Sequence, residues 1–193
     1  MRTIAWFVSV AALIGFGIDA AHADAEDEDD NPYIQRQMAA RKLAEPPVID
    51  GDLSDSVWQE AAIGDRFTDQ KTSEEPPDKT RFWLGYDENA IYLAAYCYDS
   101  DPDRILMEET KRDVGLWRDD HITFEIDTYH THNWGDFSSF SVNPRGTQNS
   151  EMGGGRSGKT EWKGDWQAAS KVTKDGWVTE MSIPWAILTY PGK

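Results

Sequence analysis

Cysteine occurs once in the 193 residues, at Cys97, so no internal disulfide is available to hold the fold. Its place in an alternating apolar run predicts a buried, inert thiol, and stability has to come from core packing. Basic residues are also scarce, with 19 Lys and Arg against 35 Asp and Glu and a net charge of −16. Phosphate is repelled by such a balance, which excludes nucleic acid and anionic membrane surfaces as partners. Helical periodicity is nearly missing, being confined to residues 54–62 and 102–110. No nucleophile-elbow or phosphate-loop motif is present. A glycosidase would need two carboxylates facing each other across a cleft with separated pKa values, and no pair stands out. These absences point away from catalysis.

Long apolar runs are absent after the first 20 or so residues. The single run there begins behind Arg2, extends from 4 to 18, and is followed by Ala21-His22-Ala23, a small-x-small cleavage pattern. It is shorter than the roughly 18 to 20 residues that span a bilayer and is closed by Asp19. Residues 1–23 therefore read as a signal peptide, and the chain is expected to be exported. Removing them takes away Arg2 and Asp19 together and leaves the charge at −16. Residues 24–30 hold six carboxylates in seven positions, a density that prevents burial of a core, so 24–42 reads as an acidic flexible linker.

From residue 43 onward the pattern becomes short alternating runs between turn clusters. Segments 81–86 and 90–98 flank Asp87-Glu88-Asn89, a hairpin signal. In the second of these, Ile91, Leu93, Ala95 and Cys97 share one face while Tyr92, Ala94, Tyr96 and Tyr98 share the other, the mark of a central strand. In 121–127, Ile122, Phe124 and Ile126 point inward; Thr123, Glu125 and Asp127 face solvent or a ligand. Segments 137–143, 166–172 and 177–183 complete the set. The fold class is all-β, an antiparallel β-sandwich of immunoglobulin or jelly-roll type, in one domain over residues 43–193. Residues 143–165 are predicted to be a long Gly-rich loop. Trp58, Trp166, Trp177 and Trp185 occupy strand or capping positions and read as core.

Several pieces occur together in order: Val48-Ile-Asp-Gly-Asp-Leu-Ser-Asp55 followed by Val57-Trp58, Tyr86-Asp-Glu-Asn-Ala-Ile-Tyr92, Trp117-Arg-Asp-Asp-His-Ile-Thr-Phe-Glu-Ile-Asp127, Phe140-Ser-Val-Asn143 and Gly176-Trp-Val-Thr-Glu-Met-Ser-Ile-Pro-Trp185. In these the chain resembles the family 9 carbohydrate-binding modules, from about Pro47 to the end. Asn143-Pro-Arg-Gly-Thr-Gln148 and the loop after it are similar to a branch in which such a module precedes an outer-membrane β-barrel. The resemblance implies a non-catalytic module that binds a poly- or oligosaccharide and serves carbohydrate catabolism. It would lie in the periplasm, at the outer membrane or outside the cell, with the barrel as a further partner. Aromatic rings would stack on the sugar and polar side chains would bond its hydroxyls.

On that resemblance Trp117 takes the position of a stacking tryptophan and Asn143 that of a polar contact. Thr123 stands where members carry a sugar-binding glutamate, and Ser141 where they carry an arginine. The partner tryptophan and at least one more strand would lie beyond Lys193; without that strand the sandwich is expected to expose an unpaired edge and apolar surface, with reduced stability or self-association. Trp134 and Trp162 lie beside polar, Gly-rich segments and are further candidates for sugar contact. Asp119 and Asp120 are candidate ligands of a structural Ca2+ ion. An EF-hand starting at Asp99 is rejected, because it would need Gly at Arg104 and Glu at Thr110. His130 and His132 stand two apart, so an extended segment would turn both toward one metal, but no third ligand accompanies them. Two other functions compete: an accessory domain of an outer-membrane barrel with no sugar ligand, and a haem-binding sandwich with Met107, Met152, Met181 or His121 as axial ligand.

Overall fold

Alternation at period two builds two facing sheets in the computed structural model, which describes residues 5–10, 38–69, 71–153 and 163–190. The strands are β1 (Ala5–Val10), β2 (Arg41–Lys42), β3 (Ala62–Gly64), β4 (Thr80–Tyr86), β5 (Ala90–Tyr98), β6 (His121–Ile126), β7 (Ser138–Val142), β8 (Gln148–Glu151), β9 (Gln167–Thr173) and β10 (Gly176–Pro184). One sheet runs β1-β6-β7-β8, and the other β2-β4-β5-β10-β9 with β3 also paired to β4. Helical structure among the described residues is limited to 3-10 turns at Ser56–Gln59, Pro102–Arg104, Trp134–Asp136 and Trp185–Ile187.

The sandwich is as expected, with three differences. The sheets are mixed, because β1, which comes from the expected signal peptide and would be lost on cleavage, runs parallel to β6, and β2 runs parallel to β4. Residues 41–42, expected in the linker, pair with Gly85 and Tyr86, and Leu43 follows into the interior. Within the expected 143–165 loop, β8 pairs antiparallel with β7. Most of the 1–23 leader, the acidic run at 24–30, Trp162 and residues 191–193 lie outside the described residues.

Between the sheets, Ile122, Phe124, Ile126, Phe140 and Val142 of the first meet Leu84, Ile91, Leu93, Met181 and Ile183 of the second. Phe140 meets Trp166 edge to face, with ring centroids 5.3 Å apart. Cys97 belongs to this core, and burial pushes its thiol up to about 12, so it stays protonated and unreactive. The other face of the second sheet is covered as well. Tyr92 and Ala94 pack there against Leu43, Val57, Trp58 and Ala61 from the segment before β4, which explains why both faces of β5 are apolar.

One charge sits in that second cluster. Glu180 on β10 is 0% exposed and pairs with Ala94 across the sheet. Its Oε1 accepts the Trp58 indole N–H at 2.8 Å, and its Oε2 accepts the backbone N–H groups of Asp50, Gly51 and Asp52 at 3.0, 2.8 and 3.3 Å. Burial pushes this carboxyl up, and the donors pull it back. Gly51 adopts φ +80, and a Cβ there would come within 3.1 Å of the Ser170 backbone, so only glycine brings the turn close enough to present its N–H groups.

Glu180→Gln keeps one acceptor but turns an amide NH2 toward N–H donors. We expect a loss of about 2–4 kcal/mol in urea unfolding, with Trp58→Phe costing less, about 1 kcal/mol, because the backbone donors keep their acceptor. An unchanged urea midpoint in the glutamine variant would show that the anchor carries no weight.

Candidate functional site

The outward face of the first sheet carries polar residues in two rows fixed by strand register. Thr123, Ser141 and Asn149 are direct cross-strand partners on β6, β7 and β8, and Glu125, Ser139 and Glu151 form the next row. Thr123 Oγ1 and Ser141 Oγ are 2.8 Å apart and hydrogen-bonded. Glu125 points away from the core yet is only 6% exposed, and its Oε2 has no hydrogen-bond partner. Burial raises its carboxyl above the ordinary range, and the neighbouring Glu151 raises it further. An unmet, shielded acceptor beside hydroxyls suits a ligand that donates O–H groups.

Trp117 lies on the loop before β6, two residues from the point where that loop meets Asn149. The loop that carries it is tied to β8, because Gly115 N–H donates to Asn149 Oδ1 at 3.1 Å and Ser150 N–H to Asp113 Oδ1 at 3.1 Å. Gly115 takes φ +90 to make the bend. Leu116 and Asp119 on either side are buried, whereas Trp117 is 72% exposed. Its neighbours thus hold the backbone while the indole is left free to stack.

Asn143 serves that loop from inside. It is 0% exposed; its amide donates to Glu109 O at 3.0 Å and Asp119 Oδ2 at 2.7 Å, and its Oδ1 accepts Arg145 N at 3.1 Å and Thr147 N at 2.8 Å. All of its hydrogen-bonding capacity is spent within the chain, so in this structure it positions the loop and meets no ligand. Asp119 is equally committed, with Oδ1 accepting Glu108 N–H and Oδ2 accepting Glu109 N–H, both at 2.9 Å, besides the Asn143 amide. Asp120 Oδ2 accepts Leu106 N–H at 2.8 Å. Those protons occupy lone pairs of Asp119 and of Asp120 Oδ2 that a Ca2+ ion would share, whereas among the described residues Asp120 Oδ1 accepts no hydrogen bond. Among the described residues no group of three or more His, Cys, Asp and Glu is arranged to hold a metal.

The structure thus brings Thr123 and Ser141 together on one face, ties the loop that carries Trp117 to the neighbouring Asn149, and buries Asn143 just after β7. Trp134 lies in the 3-10 turn Trp134–Asp136 after β6, at the opposite end of that strand from Trp117. Of the haem candidates, Met181 is buried in the main core, and His121 Nδ1 is engaged with Asp119 O at 3.0 Å. Sequence reasoning missed Asn149 and Glu151, because Gln148-Asn-Ser-Glu151 holds no apolar residue to announce a strand. Glu125 was visible as an outward residue, but its burial was not.

The profile of a protein family described as "Carbohydrate family 9 binding domain-like" matches residues 49–193. Among solved structures, a family 9 carbohydrate binding module from Caldicellulosiruptor kristjanssonii in complex with cellotriose superposes with a TM-score of 0.56 at 19% identity, covering 79% of this chain and 70% of that one. The glucose complex of a module from the same organism gives 0.55 at 19% identity, covering 79% and 72%. A protein from Bacteroides uniformis ATCC 8492 gives 0.58 at 12% identity, covering 77% and 72%. No curated protein matches the chain.

Two expectations follow from this geometry. Asn143→Asp sets a carboxylate where Asp119 Oδ2 stands at 2.7 Å and removes two donated bonds, so urea unfolding should show a loss of about 3 kcal/mol or more. For Glu125 the sign runs the other way. A carboxyl raised above its ordinary 4.5 holds its proton more readily folded than unfolded, so it costs stability as pH rises above that value. Glu125→Gln removes the cost: the variant should melt higher than the parent at neutral pH, with the gap closing below about pH 4, where both states are protonated. A gap that widens toward acid would refute this.

Proposed function

Since the chain belongs to the carbohydrate family 9 binding domain-like family, we propose that it is an exported, non-catalytic module that holds an oligo- or polysaccharide on the outward face of β6, β7 and β8. The observation that carries this is Trp117, an indole left 72% exposed on a loop that Gly115, Leu116 and Asp119 hold in place. A pyranose offers apolar C–H faces to such a ring and hydroxyls at its rim. The rim hydroxyls would meet Asn149 first, with Thr123 and Ser141, buried and bonded to each other, beside it, and the shielded, unpaired Glu125 Oε2 would accept a hydroxyl proton from a ligand that enters this row. A catalyst of glycoside hydrolysis would set two carboxylates on either side of the bond to be broken. Here Glu125 and Glu151 stand in one row of one sheet, an arrangement suited to holding hydroxyls.

The Caldicellulosiruptor modules were captured with cellotriose and with glucose, which makes β-linked glucose oligomers the first ligands to offer. Export follows from the leader reading, with carbohydrate catabolism as the setting and an outer-membrane barrel as a second partner. A single buried thiol accords with an oxidising destination, since it forms no stray disulfide.

Tryptophan fluorescence titrated with cellotriose, together with retention on a polysaccharide panel, tests the proposal. Trp117→Ala should weaken binding about tenfold or more while the melting temperature stays within about a degree, because the side chain buries little. Absence of retention on every polysaccharide, or an alanine variant that binds as well as the parent, would remove the sugar from this face.

A further inference from the structure

The loop between β6 and β7 carries chemistry that the sugar face does not use. His130 and His132 are both exposed, and their Nε2 atoms are hydrogen-bonded to each other at 3.2 Å with the rings at 64°, a proton standing where an ion would bind. Two imidazole nitrogens bound to one tetrahedral ion at 2.0–2.1 Å are separated by about 3.3 Å, so the pair already stands at chelating distance. In place of the extended segment expected from their spacing, both residues adopt left-handed backbone, with φ 53 and 56. For residues other than glycine that conformation is costly and persists only where surrounding bonds enforce it.

Those bonds are present. Asp127 Oδ2 accepts His132 N–H at 2.8 Å, and Asp127 O accepts His130 N–H at 3.3 Å. Asp136 Oδ2 accepts the Thr131 hydroxyl at 2.9 Å and the Asn133 amide at 3.3 Å. Thr128 Oγ1 donates to Thr189 O and ties the loop to the end of the chain's last described segment. The histidines are therefore positioned by their loop before any ion arrives. Asp127 adds negative charge beside His132 in a chain whose net charge is −16.

We propose that His130 and His132 form a two-imidazole chelate for a borderline divalent transition metal, Cu2+, Zn2+ or Ni2+, with the remaining coordination positions open to solvent or to an incoming donor. Imidazole selects these ions over Ca2+, and among them Cu2+ binds most tightly. An exposed chelate with open positions holds an exchangeable ion. It lies at the opposite end of β6 from Trp117 and is independent of sugar binding.

The test uses the full chain after chelator washing, titrated with Cu2+ by calorimetry and examined by electron paramagnetic resonance. One ion per chain is expected, with nitrogen superhyperfine structure from two imidazoles. The chain has four histidines, so His121→Asn serves as the control. His130→Asn and His132→Asn keep the left-handed backbone, which asparagine tolerates, while removing one ligand each. Each should weaken binding at least about tenfold, with the melting curve of the metal-free protein unchanged. Zn2+ should displace bound Cu2+ competitively. A copper signal without nitrogen couplings, as the carboxylates of residues 24–30 would give, overturns the proposal. So does a double variant, His130→Asn with His132→Asn, that binds as tightly as the parent.

Discussion

A single buried carboxylate decides how the first part of the domain attaches to the rest. Glu180 lies in the middle of β10, between β5 and β9 of the larger sheet. A bare charge there would be untenable, so the fold surrounds it with N–H groups: three consecutive backbone amides and an indole. Because those donors come from residues 50–52 and 58, satisfying the charge forces the Ile49–Asp52 turn and the Trp58 ring against that face. Leu43, Val57 and Ala61 then close over Tyr92 and Ala94. The apolar cluster and the buried acid specify the same docking, one by area and the other by direction.

A comparable division of labour governs the ligand side. Asn143 spends both amide protons and both lone pairs, and Asp119 accepts three hydrogen bonds, on each other and on the backbone of 108–109 and 145–147. That network gives the 106–120 loop one shape and leaves Trp117 outside it. Binding at such a ring costs little ordering, since the backbone beneath is already fixed. The sheet below contributes hydroxyls at intervals set by the pleat rather than by flexible side chains.

Much of this was legible from residue order. Alternation in 90–98 and 121–127 revealed two strands and their inward faces, and apolar residues on both sides of β5 marked it as a central strand, which it is, between β4 and β10. What escaped depends on long-range geometry. The parallel pairing of residues 5–10 with β6 and of 41–42 with β4 has no local signature, and β8 lacks an apolar residue. Asn143 was visible as a polar residue at a strand end, yet only coordinates separate an amide offered to a ligand from one consumed by its own loop. The spacing of His130 and His132 suggested a shared direction; the left-handed backbone that brings their nitrogens together follows from Asp127 and Asp136 capping the loop, which spacing does not encode. Glu180 could have been suspected as a lone acid in the apolar run Trp177-Val-Thr-Glu-Met-Ser-Ile183.

Cys97 gives the domain an internal clock. Its sulfur sits on β5, flanked by Thr80 of β4 and Trp177 of β10, and is both shielded and held protonated. No reagent in solvent reaches this buried sulfur while those strands stay zipped. The rate at which an alkylating agent consumes this one thiol therefore counts openings of the central sheet, separating whole-domain breathing from movement at the rim.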